Sequence, residues 1–310
     1  MSTATRTDPD GTVRPHVGVP ERMATAADLA APAGFLGAPW GAHRPGPVQA
    51  ALIALGRRTF LRRARLRLWM ARLVARLGAP VDVTFRGCRY RVDGRRNLIE
   101  AALMINPAYN ARDIDFLLDG LPEGGTAVDI GSNIGLYTLP LAARAGLSGR
   151  AIGIDANPGM SARLEFNAAA SGLTQVVGVT AAVSDCAGVV ELVVHRDDLA
   201  IVAVRETGGG TIRMCPLADI LADLGVTRVD VLKIDIEGYE DRALAPWLRT
   251  APEAMLPARI VIERVERDRD YPACAAAFAA RGYVLAGRTR NNSLYRRDQP
   301  QAGGSADERG

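Results

Sequence analysis

The spacing of apolar residues along the 310-residue chain changes several times, and each change predicts an element. Over 48–77, Leu66, Trp69, Met70, Leu73 and Leu77 recur at helical spacing beside Arg58, Arg62, Arg65, Arg72 and Arg76, and Gly78 with Pro80 supplies a stop. That pattern predicts a basic amphipathic helix. Val81, Val83 and Phe85 then alternate, as do Tyr90 and Val92 after Arg86-Gly87, which predicts a small hairpin closed by Asp93-Gly94. Helices are expected over 98–105 and 111–118, separated by Asn106-Pro107 and ended by Gly120 and Pro122. Beyond them the chain reads as strands over 126–130, 151–154, 176–183, 229–234 and 259–262, with helices over 135–145, 158–170, 217–224 and 242–248 between them. Residues 189–195 and 211–214 are expected to form an inserted antiparallel pair, and 293–295 a last strand. Strands and helices alternating at these lengths imply an α/β fold with a doubly wound, mostly parallel sheet.

Residues 1–47 carry scattered prolines and no sustained period, so they read as a flexible tail with one short helix over 22–29. The expected organisation is that tail, a cap of helices and hairpin over 48–122, a core domain over 123–290, and a last strand with a tail over 291–310. The cap enters the sheet directly and is expected to cover one mouth of the cleft, with Tyr109 and Asn110 facing it.

Composition narrows the classes. The chain is 48% hydrophobic and 23% charged, enough for one large core, and no apolar run of about 18 residues suggests a membrane span. Cys88, Cys186, Cys215 and Cys274 lie far apart without a CxxC pair, and no secretory signal is evident, so reduced thiols in a cytoplasmic protein are expected. The net charge of +4 is mild and concentrated in the 58–76 helix, which argues against a nucleic-acid partner. That helix is either a solvated surface element or one that docks on anionic lipid or an acidic partner, as in peripheral contact with the inner membrane face. His16 and His43 lie in the tail, which offers no rigid mount for a catalytic base.

Candidate chemistry centres on Val128-Asp129-Ile130-Gly131-Ser132-Asn133-Ile134-Gly135. An apolar run ending in an acid, then glycines, then a helical pattern reads as strand, tight turn and helix start, where α/β folds hold nucleotides. Asp129, Asp155, Asp185, Asp235 and Glu263 each stand at or just past a predicted strand end, which would line them along one edge of the sheet. Asp155 follows Gly131 by 24 residues, the spacing of an acid that grips a ribose. The turn lacks the Gly-x-Gly-x-x-Gly of a dinucleotide site, and its acid repels pyrophosphate but suits a cationic amino group. A ribose, an adenine and an ammonium-bearing tail together describe S-adenosylmethionine. A nicotinamide-dependent oxidoreductase and a non-catalytic binding module are the alternative readings.

Asp129-Ile-Gly-Ser-Asn-Ile-Gly135, Ile154-Asp155-Ala156-Asn157-Pro158, Ala182-Val183-Ser184-Asp185 and Lys233-Ile234-Asp235-Ile236-Glu237-Gly238 resemble, in order and spacing, the successive motifs of the FkbM-type methyltransferase family. The resemblance spans roughly 112–265. It implies a class I S-adenosylmethionine-dependent fold and methyl transfer to a hydroxyl of a sugar, glycolipid or polyketide-like acceptor. Departures are Asp155-Ala156 where the family commonly has Glu-Pro, Ser132 where it has Ala, and Leu217-Ala218-Asp219 in place of a Leu-Asp-Asp run.

On this reading Asp129 meets the amino group of the methionine moiety. Gly131 and Gly135 form the turn, Asn133 meets the tail carboxylate or a bridging water, Asp155 meets the ribose and Asp185 the adenine amine, with Ser132, Ala156 and Asn157 as further cofactor-binding candidates. Lys233 is the one lysine among 38 basic residues, which marks a place where a compact ammonium is wanted rather than a planar guanidinium. Asp235 and Glu237 are the candidate general bases, with Lys233 orienting them; a divalent metal held by Asp235 and a neighbouring acid is a second, less favoured route. Residues 48–122 and 186–215, with Tyr239, Trp247 and a Gly208-Gly209-Gly210 hinge, are expected to shape the acceptor pocket.

Overall fold

The computed structural model describes residues 6–7, 13–14, 21–25, 29–31, 34–95, 97–195, 202–206, 210–265 and 269–297. Its centre is a seven-stranded sheet. In chain order the strands are β1 (Thr126–Ile130), β2 (Arg150–Asp155), β3 (Val176–Thr180), β4 (Val231–Ile234), β5 (Arg259–Glu263), β6 (Tyr283–Arg288) and β7 (Asn292–Arg297). Across the sheet they run β6-β7-β5-β4-β1-β2-β3. β7 is antiparallel to both neighbours, and the remaining pairs are parallel. The doubly wound α/β expectation is met: the chain moves outward from β1 to β3, then crosses to the other side of β1 for β4 and β5. That reversal lies between β1 and β4, where open α/β sheets leave a crevice at the carboxyl ends of the strands.

Strand alternation divides the sheet into two buried faces. Val128, Ile130, Ile152, Ile154, Leu232 and Ile262 pack toward the helices Leu217–Asp223, Ala245–Thr250 and Pro272–Ala280. Ala127, Ala151, Val231 and Val261 point the other way, into a core shared with Thr138–Ala145, Pro158–Ser171 and the cap. Continuing this second alternation to the strand ends gives Asp129, Asp155, Lys233 and Glu263. Four charged side chains thus complete one otherwise apolar face, at the edge where the crevice opens.

The cap departs from the pattern in two respects. The expected single helix over 48–77 is two helices, Pro47–Arg58 and Ala64–Arg76, because Thr59 takes an extended conformation and a short turn, Phe60–Arg62, joins them. The predicted apolar stripe is also not the buried one. Met70 is buried, but Leu66, Trp69 and Leu77 are exposed, and Ala71, Val74 and Ala75 take the inner face. Small inner residues let this helix lie close against Leu98–Ile105.

The hairpin Val81–Phe85 and Cys88–Val92 forms as expected, turning on Arg86 and Gly87, both at positive φ. Its register sets Asp82 opposite Arg91, and the two form a fully buried ion pair at 2.7 Å. Arg91 also donates to the carbonyls of Phe35, Ala38 and Pro39, while Gly41 and His43 donate backbone N–H groups to Asp82. Residues 34–43 are therefore held against the hairpin rather than forming part of a tail.

Other departures follow from local chemistry. Of the helix expected over 22–29, Arg22 and Met23 lie instead in the strand Glu21–Met23, paired with the end of Gly188–His195, and residues 26–28 lie outside the described residues. The predicted strand over 176–183 breaks at Ala181, and Ala182–Ser184 joins a second sheet with Ile212–Pro216. In that sheet the expected antiparallel pairing of 189–195 with 211–214 is present, extended by Val202–Glu206. The helix after β1 starts at Thr138 rather than 135, because Asn133 and Gly135 hold positive φ. Among the described residues no helix is long and apolar enough to cross a membrane.

Candidate active site

The turn after β1 is built on Gly131, Asn133 and Gly135, with φ of 79°, 48° and 95°. Asn is among the few side chains that tolerate this region. A Cβ on Gly131 would stand 1.9 Å from the carbonyl oxygen of Asp235, so the turns after β1 and β4 touch backbone to backbone. On Gly135 it would strike Leu139 and Leu164, which pack the helices beneath the turn. The cap closes over this turn: Asn97 Nδ2 donates to Asn133 Oδ1 at 3.2 Å, and Tyr90 Oη donates to the Gly135 carbonyl.

Asp129 is buried beneath the turn. Its Oδ2 accepts from Thr138 N and Thr138 Oγ1, at 3.0 and 2.6 Å, and so caps the helix Thr138–Ala145. Burial lifts its carboxyl above the ordinary range against the pull of Lys233 and Thr138. Asp129 Oδ1, Ser132 Oγ and Asn157 Nδ2 are buried without a hydrogen-bond partner among the described residues. Asp155 accepts from Asn133 N and Asn157 N, each at 2.8 Å, which ties the end of β2 to the glycine turn. Burial outweighs those bonds and raises the Asp155 carboxyl to about 6. Asn157 caps the helix Pro158–Ser171 through Oδ1, and Ala156 packs on the small core of the second sheet.

Asp185 stands apart from the other four acids. It follows Ala182–Ser184, a strand of the second sheet, and is paired with Arg242 at 2.8 Å, which holds its carboxyl below the usual range. The row of acids on one edge of the central sheet is thus Asp129, Asp155, Asp235 and Glu263.

Lys233 lies opposite Asp129 in the register of β4 with β1. It is 3% exposed, contacts Asp235 Oδ2 at 3.1 Å, and its Nζ sits 5.1 Å from the centroid of the Tyr137 ring. Burial works against its charge, but Asp235 and Asp129 keep it an ammonium with a raised pKa. Burial likewise works against ionised Asp235, yet Lys233 and a hydrogen bond from Glu263 hold it below the ordinary carboxylate range. Glu263, partly buried and facing the charges of Asp235 and Glu237, is pushed far up and keeps the shared proton. β4 ends at Ile234, and Glu237 and Gly238 turn the chain with φ of 54° and 106°. Carboxylate oxygens of Asp235, Glu237 and Glu263 lie within 4.8 Å of one another, and of the three residues Glu237 is the exposed one.

Two groups that shape this site escaped the sequence reading. Glu240 is fully buried, and its two oxygens accept from Ile236 N and Gly238 N at 2.8 and 2.9 Å, fixing the loop that carries Glu237. The acid three residues after Glu237 was the available signal. Tyr137 lies between cap and site: Asn110 Nδ2 donates to its hydroxyl at 2.8 Å, and that hydroxyl faces Asp113, which also accepts from Asn292 at 2.6 Å.

Of the expected acceptor residues, Asn110 reaches the site through Tyr137. Trp247 does not; it is buried in the opposite core, because β4 presents that face to its helix. Tyr239 carries the Arg242 guanidinium at 5.5 Å. Gly208 and Gly209 lie outside the described residues, and Gly210 packs directly on the backbone of Val190, which rules it out as a free hinge.

A family model described as "Methyltransferase FkbM domain" matches residues 129–285, slightly more than half of the chain. No curated protein matches the sequence significantly. Among solved structures, a SAM-dependent methyltransferase from Agrobacterium tumefaciens is 13% identical with a TM-score of 0.43, covering 70% of this chain and 69% of that one. A putative rRNA-methylase from Clostridium thermocellum is 12% identical with a TM-score of 0.38, covering 61% of this chain and 96% of that one. A SAM-dependent methyltransferase from Aquifex aeolicus is 15% identical with a TM-score of 0.34, covering 61% and 92%. Similarity this low adds nothing to what the strand order itself says of the fold. The family match runs through the glycine turn, Asp155 and the Lys233–Gly238 stretch, and the chain belongs to the FkbM family of S-adenosylmethionine-dependent methyltransferases.

Proposed function

We propose that the protein O-methylates a hydroxyl on a sugar, glycolipid or polyketide-like acceptor in the cytoplasm. The observation that carries this reading is Glu237, an exposed carboxylate in an acid cluster one strand over from the glycine turn. An alcohol must lose its proton to become a nucleophile, and a positioned carboxylate can take it.

The residues present fit S-adenosylmethionine. Asp129 Oδ1 is a buried acceptor without a partner, suited to an ammonium, and Ser132 Oγ and Asn157 Nδ2 are further unmet polar atoms around the same turn. Asp155 spends one bond on each oxygen, which leaves each an acceptor position for a ribose hydroxyl. Asn133 gives its amide oxygen to Asn97 and Ile134, so its Nδ2 is the end that would meet a carboxylate. When bound, the cofactor supplies an electrophilic methyl group on a sulfonium. The chain's own part is to hold donor and acceptor in line and to remove water, where positioning alone can supply up to ~7–11 kcal/mol. Glu237 takes the hydroxyl proton on a carboxylate oxygen; Lys233 balances Asp235, and Glu240 fixes the loop that aims Glu237.

Incubation with methyl-labelled S-adenosylmethionine and fractionated cell extract tests this. Label stable to mild base, as in a methyl ether, is expected. Label released by mild base, as from a methyl ester, or recovered on nitrogen overturns the assignment to a hydroxyl.

Donor affinity should depend on pH through Asp155. A ribose diol donates to the ionised carboxylate, and in the free protein that group titrates at about 6. Calorimetry should therefore find affinity flat above that pH and falling roughly tenfold per unit below it. An Asp155→Asn variant should bind weakly with no such break; an unchanged profile would remove Asp155 from the ribose.

Two of the three carboxyls in the acid cluster already have a counterpart, Asp235 in the Lys233 ammonium and Glu263 in its proton, which leaves the cluster a single net charge, on Glu237. Turnover should accordingly survive exhaustive chelation. A strict requirement for added Mg²⁺ would reassign Asp235, Glu237 and Glu263 as ligands of a hard cation.

A further inference from the structure

Residues 29–81 contain nine arginines and no aspartate or glutamate. Arg57 is used internally, donating to the carbonyls of Thr84, Leu103 and Met104, and Arg67 lies over the Tyr109 ring at 4.8 Å. The guanidinium groups of Arg58, Arg62, Arg63, Arg65, Arg72 and Arg76 have no hydrogen-bond or ion-pair partner among the described residues. Beside them, Phe60, Leu66, Trp69 and Leu77 are 66%, 43%, 57% and 53% exposed. At about 100° per residue, Leu66, Trp69 and Leu77 fall within about 80° of one another, and Arg65, Arg72 and Arg76 form the adjoining row. Met70, Ala71 and Val74 turn inward. The outward face of the helix Ala64–Arg76 is thus itself amphipathic, half apolar and half cationic, and Phe60 extends the apolar half onto the preceding turn.

We infer that this face seats the protein on the surface of an anionic phospholipid bilayer. A lipid interface meets both halves at once: Trp, Phe and Leu enter the acyl boundary while guanidinium groups meet headgroup phosphates. A second copy of the chain fits poorly, since a two-fold contact would bring the same arginines together with no acid in the segment to neutralise them. Nucleic acid would use the arginines but leave the leucines in water. Arg67, on the inner side of the same helix, rests on Tyr109, and the next residue, Asn110, donates to Tyr137 beside Lys233. The inference stands on surface chemistry and does not depend on the reaction.

Sedimentation of the full chain with vesicles tests it. Binding to equal parts phosphatidylglycerol and phosphatidylcholine should exceed binding to phosphatidylcholine alone by about tenfold or more, and should weaken as salt is raised. The F60S/W69S double variant should lose the vesicles, and R65Q/R72Q/R76Q should lose the preference for anionic lipid. All five positions are exposed, so unchanged Tm values are expected and serve as the folding control. Equal binding to both vesicle types, full binding by F60S/W69S, or arginine-dependent binding to polyuridylate without binding to vesicles would each overturn the inference. So would a dimer in the ultracentrifuge that F60S/W69S abolishes.

Discussion

Substitution of Glu237 by glutamine lowers the rate of label transfer from methyl-labelled S-adenosylmethionine by about 10²–10⁴-fold, the range for loss of a general base. Donor affinity stays within about twofold, because the group lost acts in the transition state and not in donor binding. The substitution is nearly isosteric, and glutamine can keep the left-handed backbone that glutamate holds here at φ 54°. The loop itself is secured elsewhere, by the two bonds that Glu240 accepts from Ile236 and Gly238. Asp235 is the less suited base of the pair: it is held ionised between Lys233 and the proton of Glu263, so a further proton is unwelcome there. Asp235→Asn should also slow transfer, but by disturbing Lys233 and Glu263, and it should change donor binding as well. If Glu237→Gln turns over at the parental rate while Asp235→Asn does not, the base is Asp235.

Much of this site was legible in the chain because strand ends and turns are written in local sequence. Gly131, Asn133 and Gly135 announce a left-handed turn, and Lys233 stands out as a lone ammonium in an arginine-rich chain. Alternation could have gone further: Asp129, Asp155, Lys233 and Glu263 share one face because each continues the same apolar row. Other features depended on contacts between distant segments. Asp185 ended an apolar run as the others did, yet its strand belongs to a different sheet, and the break at Ala181 left no mark in the pattern. Trp247 lay close in sequence to the Glu237 turn and packs on the opposite face of β4. The 64–76 helix showed the correct period and the wrong inside, because periodicity locates stripes but alanines can be the ones that face the core. Residues 34–43 carry Phe35, Leu36 and Trp40 but no sustained period, and a guanidinium supplied by the hairpin holds three of their carbonyls.

That guanidinium leads to the largest expected loss of stability. Asp82→Ala should lower the free energy of unfolding by about 3–5 kcal/mol, the range for removing one partner of a buried ion pair. Arg91 is wholly inaccessible to solvent, so its charge would remain in the core without its carboxylate. The N–H groups of Gly41 and His43 would lose their acceptor in the same step. In the native protein those N–H groups and Arg91 hold the Asp82 carboxyl down against the upward push of burial. Its stabilising contribution is therefore complete above the ordinary carboxylate range and is lost as pH falls through the depressed native value. Exchanging both partners for apolar residues, as in D82L/R91M, removes the stranded charge and should recover part of the loss. Recovery should be incomplete, because the carbonyls of Phe35, Ala38 and Pro39 would no longer have the guanidinium that satisfies them. Urea unfolding of the three proteins measures this as a shift in midpoint at constant slope. Protease cleavage within 34–43 should rise in step in Asp82→Ala, since that segment is held by the pair. A loss under about 1 kcal/mol would mean that water reaches Arg91 and that the pair acts as a surface contact.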